Sequence, residues 1–174
     1  MGWTMCYIAI KNSPESEVLT KLRLETIAKP VHYNLPERDE IIGFTSGQGW
    51  YLLLATEPNL FDRENELREL SKNTDIVLGQ EVESVAYSQV GFFTLGLRAW
   101  ELAYSGWQAD ALISTEGVLP DFVQQLVNDS AEQVGGGAQY EVALTVFEGI
   151  TGIDWKSFGS LKPIANAKYL SLEP

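Results

Sequence analysis

The segment Asp75–Tyr104 has the sequence DIVLGQEVESVAYSQVGFFTLGLRAWELAY, in which β-branched and aromatic residues are frequent and turn residues are few. This composition is typical of β-strands bounded by short turns. It predicts three consecutive strands, at Asp75–Ser84, Ala86–Val90 and Leu97–Tyr104. The last two strands are predicted to form a hairpin, closed by a loop that runs from Gly91 to Gly96.

The chain before this segment shows alternating helix and strand signals. Apolar runs predict a strand at Trp3–Ile10 and a hairpin of Glu40–Thr45 with Trp50–Thr56. Capping signals and apolar spacing predict helices over 14–28 and 61–72. The resulting order, strand–helix–strand–strand–helix–strand, resembles the split βαβ, ferredoxin-like unit, whose two helices lie on one face of the sheet.

The chain after Tyr104 has a different character. The segment Ser105–Gly117 is predicted to be a connection, followed by helices over 120–134 and 140–150 and a short strand over 168–172. The predicted fold is therefore one α+β domain, residues 1–174, with a mainly antiparallel sheet, the added hairpin and two C-terminal helices. Hydrophobic periodicity predicts a core that includes Ile8, Leu22, Leu53, Leu67, Val77, Trp100, Leu102, Leu126 and Phe147.

The charge balance restricts the classes of partner. With 24 acidic against 12 Lys and Arg residues, the 174-residue chain has a formal charge of −12. Such a charge repels phosphate backbones and anionic lipid, so binding to nucleic acid or to a membrane surface is disfavoured. A single cysteine, Cys6, cannot form an intramolecular disulfide, and the N-terminus lacks a signal-peptide pattern. We expect a cytoplasmic protein.

The sequence contains no motif for catalysis, a metal or a cofactor. His32 is the only histidine, which excludes a zinc site of several histidines. The serine motif Gly-x-Ser-x-Gly does not occur, and the glycine clusters lack the spacing of phosphate-binding loops. Glu81 and Glu83 would share one face of a strand, which we interpret as a solvated face. We predict that the protein is not an enzyme and has no cofactor.

The negative charge is concentrated in one part of the sequence. No Lys or Arg occurs between Arg98 and Lys156, and nine acidic residues lie between them. A general effect on solubility is one interpretation. The other is a negative surface that attracts a basic protein partner. The residues in this interval that we predict to contact the partner are Glu101, Asp110, Glu116, Asp121, Asp129 and Glu132.

The predicted loop Gly91–Gly96 is the second candidate contact. It carries Phe92, Phe93 and Leu95, although hairpin loops are usually polar. Either the C-terminal helices bury these side chains, or the loop is an exposed apolar anchor for a partner.

In size and charge the chain resembles bacterial immunity proteins, which are small, acidic cytoplasmic inhibitors of toxins, many of them basic nucleases. The resemblance implies an inhibitor of a basic toxin or enzyme. A different hypothesis is an enzyme or small-ligand-binding protein with an aromatic pocket between the sheet and the C-terminal helices. A third is an oligomerising module that pairs through the edge of the hairpin. The pocket of the second hypothesis would be lined by Trp50, Tyr87, Trp100, Tyr104 and Trp107.

Overall fold

The computed structural model describes residues 4–29, 31, 36, 40–46, 48–56, 60, 63–106, 112–132, 137–154 and 166–172. Within these ranges, strands and helices alternate along the first half of the chain, and two helices follow the last long strands. The strands are β1 Thr4–Lys11, β2 Leu24–Ile27, β3 Ile41–Thr45, β4 Trp50–Ala55, β5 Ile76–Val82, β6 Tyr87–Thr94, β7 Leu97–Ser105, β8 Leu112–Gly117 and β9 Lys168–Leu172. The helices are α1 Glu15–Leu22, α2 Glu64–Leu70, α3 Asp121–Ala131 and α4 Gly137–Thr151.

The nine strands of the described residues belong to one sheet, in the order β2-β9-β3-β4-β1-β5-β6-β7-β8. Every neighbouring pair in this order is antiparallel. The predicted class, α+β with a large antiparallel sheet and four helices, is confirmed. The apolar strand β1 lies inside the sheet, where it is paired on both sides and contributes core side chains to both faces.

Two helical layers cover the two faces of the sheet. Side chains alternate between the faces along each strand, so β1 directs Ile8 to one layer and Tyr7 to the other. Helices α1 and α2 pack on the face of Ile8, through Leu22 and Leu67. Helices α3 and α4 pack on the face of Tyr7. The sheet is thus covered on both sides, although each layer is formed by a different half of the chain.

The prediction of a helix over 14–28 is wrong beyond Leu22. The α1 helix ends there because Arg23 takes a left-handed conformation, with φ of 50°. The next residues form β2, which pairs with β9 near the C-terminus. This distant pairing, which local helical spacing cannot indicate, determines the conformation of residues 24–27.

The predicted six-residue hairpin loop is also wrong. Strand β6 continues to Thr94, which pairs with Leu97, so the turn consists of Leu95 and Gly96 alone. Both residues have positive φ, 53° and 79°, as in the type I′ turns that match the twist of a hairpin. Leucine at the first turn position gives no sign of such a turn in the sequence.

The segment predicted to be a connection contains β8, which pairs with β7 over six residues. Its sequence, LISTEG, has few apolar residues because the strand lies at the edge of the sheet. The C-terminal helices are present with shifted ends, and the short strand over 168–172 is confirmed. Of the predicted core, eight residues are buried and Leu126 is partly buried against α3 and α4 neighbours.

Candidate functional site

Glu101 and Glu116, two of the predicted partner-binding residues, are direct cross-strand neighbours on β7 and β8. Both contact Arg98, and the distance from Arg98 Nη2 to Glu116 Oε2 is 3.7 Å. Arg98 Nε also lies 4.0 Å from Glu64 Oε1 on α2. Arg68 also contacts Glu64, so three carboxylates face two guanidinium groups and the cluster keeps one formal negative charge. It lies on the α1/α2 side of the sheet, because Glu101 points away from its buried neighbour Leu102.

The acidic residues of α3 lie on the other side of the sheet. Asp121, Asp129 and Glu132 are exposed, and Asp129 accepts a hydrogen bond of 2.7 Å from Gln125 Nε2. Asp110 lies outside the described residues. The structure thus brings Glu101 and Glu116 together and separates them from the α3 carboxylates by the thickness of the sheet.

The three apolar residues of the predicted loop have different environments. Phe93 is 1 % exposed and packs on the α1/α2 face. Phe92 points to the opposite face and stacks on Trp100, with 5.8 Å between the ring centroids. Leu95, in the turn itself, is 79 % exposed. Only Leu95 of the three is therefore free to act as an exposed anchor.

The aromatic residues of the alternative pocket are mostly packed in the core. Trp50, Trp100 and Tyr104 are buried. Tyr87 is half-buried and donates a hydrogen bond of 2.6 Å to Gln89 Oε1. Trp107 lies outside the described residues. The three buried rings fill space against α3 and α4.

A buried carboxyl group that the sequence did not indicate lies on the α3/α4 face. The backbone register places Met5, Glu81, Ser88 and Tyr104 in one row across β1, β5, β6 and β7. Glu81 is only 3 % exposed. The expectation that Glu81 and Glu83 form one solvated face is wrong. Strand β5 ends at Val82, so Glu83 is exposed in a 3₁₀ turn while the α4 layer covers Glu81.

The surroundings of Glu81 favour its neutral form. Burial, and then the negative charges of Glu141 and Glu148 on α4, raise its pKa to about 7. Within the described ranges, no Lys or Arg forms a salt bridge with Glu81. A protonated carboxyl group can donate a hydrogen bond and can release a proton near neutral pH, which an exposed glutamate cannot do.

Hydroxyl groups surround this carboxyl group. The buried Ser88 Oγ and Tyr140 hydroxyl have no hydrogen-bond partner among the described residues. Burial first and the charge of Glu81 second raise the pKa of Tyr140 to about 12. The same two causes raise the pKa of Tyr7 well above its ordinary value. These groups form a polar cluster under α4, and we call Glu81, Ser88, Tyr7 and Tyr140 the Glu81 cluster.

The described residues offer no other obvious chemistry. No group of three or more His, Cys, Asp or Glu side chains among them is placed to hold a metal ion. Cys6 is buried in β1, on the face of α1 and α2. None of the helices in the described part of the chain is long and apolar enough to cross a membrane.

Comparison with known proteins gave no relatives. A scan against protein-family models, a search of curated proteins and a search of solved structures each found no significant match.

Proposed function

We propose that the protein binds a basic protein partner through the acidic residues of its C-terminal half, and that it acts as an inhibitor of a basic toxin or enzyme in the cytoplasm. The observation that carries this proposal is a difference in charge pairing between the two halves of the molecule.

Several acidic residues of the N-terminal half have basic partners nearby. Lys168 Nζ lies 2.8 Å from Glu15 Oε1, and on α2 Arg68 and Lys72 each lie 2.6 Å from a carboxylate oxygen of Glu64 and Glu69. Each of these acids is thus partly neutralised by a neighbouring charge. Their field does not extend far into solvent, because opposite charges a few ångströms apart cancel at a distance.

Four acids of the C-terminal half lack this compensation. Among the described residues, no salt bridge is formed by Asp121, Asp129, Glu132 or Glu141, and all four are exposed. Glu116 is 73 % exposed and shares Arg98 with two other carboxylates. Uncompensated charges of one sign repel each other and raise the association rate of an oppositely charged partner. This pattern supports recognition of a basic surface.

A capture experiment with charge-reversed variants tests the proposal. The wild-type protein, an Asp121→Lys/Asp129→Lys variant and a Glu17→Lys/Glu25→Lys control are immobilised and exposed to extract of the source cells. We expect the wild type and the control to retain one protein of high isoelectric point in a stoichiometric complex, and the first variant to lose it. A neutral or acidic partner, or equal capture by all three proteins, would contradict the proposal.

An enzyme or small-ligand function is the second candidate, and the Glu81 cluster is the observation that favours it. A carboxyl group with a pKa near 7 beside serine and tyrosine hydroxyls is a common feature of sites that transfer protons. An NMR screen of small metabolites, with Glu81→Gln as the comparison, tests this function. Ligands that shift the resonances of Ser88 and Tyr140 in the wild type alone would favour it over protein binding.

We also propose that β1, α1, β3, β4, α2 and β5 form the ferredoxin-like unit expected from their order. The spatial order β3-β4-β1-β5, with all pairs antiparallel, supports this assignment, as does the packing of α1 and α2 on the same face. An experimental structure that places the two helices on opposite faces would contradict it.

A further inference from the structure

The outer edge of β8 is the feature from which we infer how the partner binds. Strand β8 is the last in the sheet and pairs with β7 alone. Among the described residues, no strand pairs with its other side. A strand edge of this kind presents a row of backbone N–H and C=O groups that can pair with another extended chain.

Both faces of β8 are open as well. Residues Ser114, Thr115, Glu116 and Gly117 are all exposed, whereas alternate residues of the neighbouring β7 are buried. Neither helical layer therefore extends over these four residues. An incoming strand could align with β8 without displacing a helix of the described chain.

The charge around β8 selects the kind of strand that would bind. Glu116 lies on β8 itself, and Glu101 is its neighbour on β7. Arg98 is the one basic residue that contacts this group within the described part of the chain. A second copy of this chain is disfavoured as the occupant, because it would bring another formal charge of −12 to the same edge.

The opposite edge of the sheet provides a contrast. Strand β2 is only four residues long, and the basic residues Lys21 and Arg23 immediately precede it. Both are exposed. Glu25 lies on β2 itself, but Lys21 and Arg23 outnumber it. A basic strand would therefore meet a net positive charge at this edge and a net negative charge at β8.

We propose that β8 binds an extended, Lys- or Arg-rich segment of the partner by strand addition, an inference that rests on the proposed function. Backbone hydrogen bonds along β8 hold the segment, and its basic side chains lie across from Glu116. Val118, which is 87 % exposed directly after β8, is placed to contact an apolar side chain at the end of the added strand.

A pair of synthetic peptides tests this proposal. The probe is an acetylated and amidated hexapeptide of alternating lysine and valine, which matches the six residues of β8. The matched control has the same side chains but a methyl group on every backbone nitrogen, which removes its hydrogen-bond donors and keeps its charge. Binding is measured at low ionic strength by NMR titration, together with hydrogen exchange of the β8 amides.

We expect the probe to bind about tenfold more tightly than the methylated control and to slow exchange of the outward-facing β8 amides about tenfold. Glu116→Lys should weaken probe binding, and Glu25→Lys on β2 should not. Equal binding of both peptides, without protection of β8, would overturn strand addition while leaving attraction of a basic partner intact.

Two further outcomes distinguish failure of the proposed function from failure of strand addition by a basic segment. Absence of binding by either peptide would count against the electrostatic basis of the proposed function as well as against strand addition. A concentration-dependent dimer in analytical ultracentrifugation, with β8 amides protected in the absence of peptide, would show that the edge binds a second copy and would overturn the choice of a basic segment.

Discussion

The two faces of the central sheet are built from the same strands but differ in what they bury. On the α1/α2 face, the buried cluster consists of hydrophobic side chains such as Ile8, Leu53 and Phe93. On the α3/α4 face, the apolar cluster is interrupted at one end by Glu81 and Ser88. Burial of a polar group opposes folding unless hydrogen bonds replace its water. The first face therefore has an apolar stabilising core, and the second includes polar groups whose burial opposes folding.

The position of the Glu81 cluster limits its effect on the fold. It lies in the row of Met5 and Tyr104, next to the row where Tyr7 pairs with Gly79. The apolar contacts of α4, including the edge-to-face contact of Phe147 with Tyr7, still hold the helix on the sheet. We conclude that α4 is held by an apolar contact along part of its length and covers a titratable group beside it.

The largest loss of stability is expected when the apolar contact between α4 and the sheet is removed. Phe147 is fully buried, and its ring centroid lies 4.6 Å from that of Tyr7. Phe147→Ala should lower the free energy of unfolding by about 3–5 kcal/mol, since it removes a large core ring and leaves a cavity. Urea denaturation measures the change. Phe122→Ala, at a position that is 44 % exposed on α3, is the control and should have a much smaller effect.

The next effect in size is a pH dependence of the free energy of unfolding, which should arise from Glu81 on the α3/α4 face. The pKa of Glu81 is raised from 4.5 to about 7, so between these pH values the folded protein binds more protons than the unfolded chain. Stability should therefore fall as pH rises through this window, by up to about 3 kcal/mol, and the loss should be complete above pH 7. Glu81→Gln, which keeps the shape without the charge, should remove this loss.

The difference between wild type and Glu81→Gln isolates this group from the other carboxylates. The two proteins should have similar stability at the acidic end of the window, and the variant should be more stable above it. Glu69 on α2 should behave oppositely, because Lys72 lowers its pKa and stability then rises with pH. Parallel pH profiles for wild type and Glu81→Gln would show that the pKa of Glu81 is not raised in the folded protein.

A third, smaller effect is the change in stability when a glycine on each face of the sheet is replaced by alanine. A Cβ atom added to Gly79 would lie 1.8 Å from an atom of the Tyr7 ring, which covers this glycine directly. At Gly91, on the other face, the nearest atom would lie 3.7 Å away. Gly79→Ala should therefore cost about 1–3 kcal/mol through displacement of the ring. Gly91→Ala should be neutral or stabilising. An unchanged cost of Gly79→Ala in a Tyr7→Ala background would contradict this cause.

The sequence predicted the architecture better than the site. Apolar patterns located the central strands and all four helices, because periodicity reports burial directly. The prediction was wrong where contacts between distant parts of the chain determine the conformation, as at residues 24–27, which pair with β9. It also failed at Leu95, since a leucine with positive φ gives no turn signal.

The environment of Glu81 could not be predicted for a related reason. Alternation along β5 correctly assigns Val77 and Glu81 to one face, but it cannot show which helix covers that face. A glutamate at the end of a strand is usually solvated, and here α4, from a later part of the chain, covers it. Conversely, the exposed acids of α3 were identified from the sequence because exposed charge needs no tertiary contact to be recognised.

The smallest effect on stability is expected from charge reversal on the α3/α4 layer, and the same change should have the largest effect on association. Asp121→Lys with Asp129→Lys should alter the free energy of unfolding by less than about 1 kcal/mol, since both side chains are exposed. Asp121 lies in the first turn of α3, where an anion is favoured, and Asp129 lies in its last turn, where a cation is favoured. The two dipole effects therefore oppose each other.

Association with the basic partner should become slower in this double variant and less dependent on salt, because fewer charges contribute to the long-range field. Glu17→Lys with Glu25→Lys changes the net charge equally in the N-terminal half and is the matched control. Lys21 and Arg23 already reduce the field there, so its association should change less. Stopped-flow association rates at several ionic strengths measure this change for both double variants. Equal loss in the two variants would mean that net charge alone attracts the partner, and that the uncompensated acids of the C-terminal half have no special part in recognition.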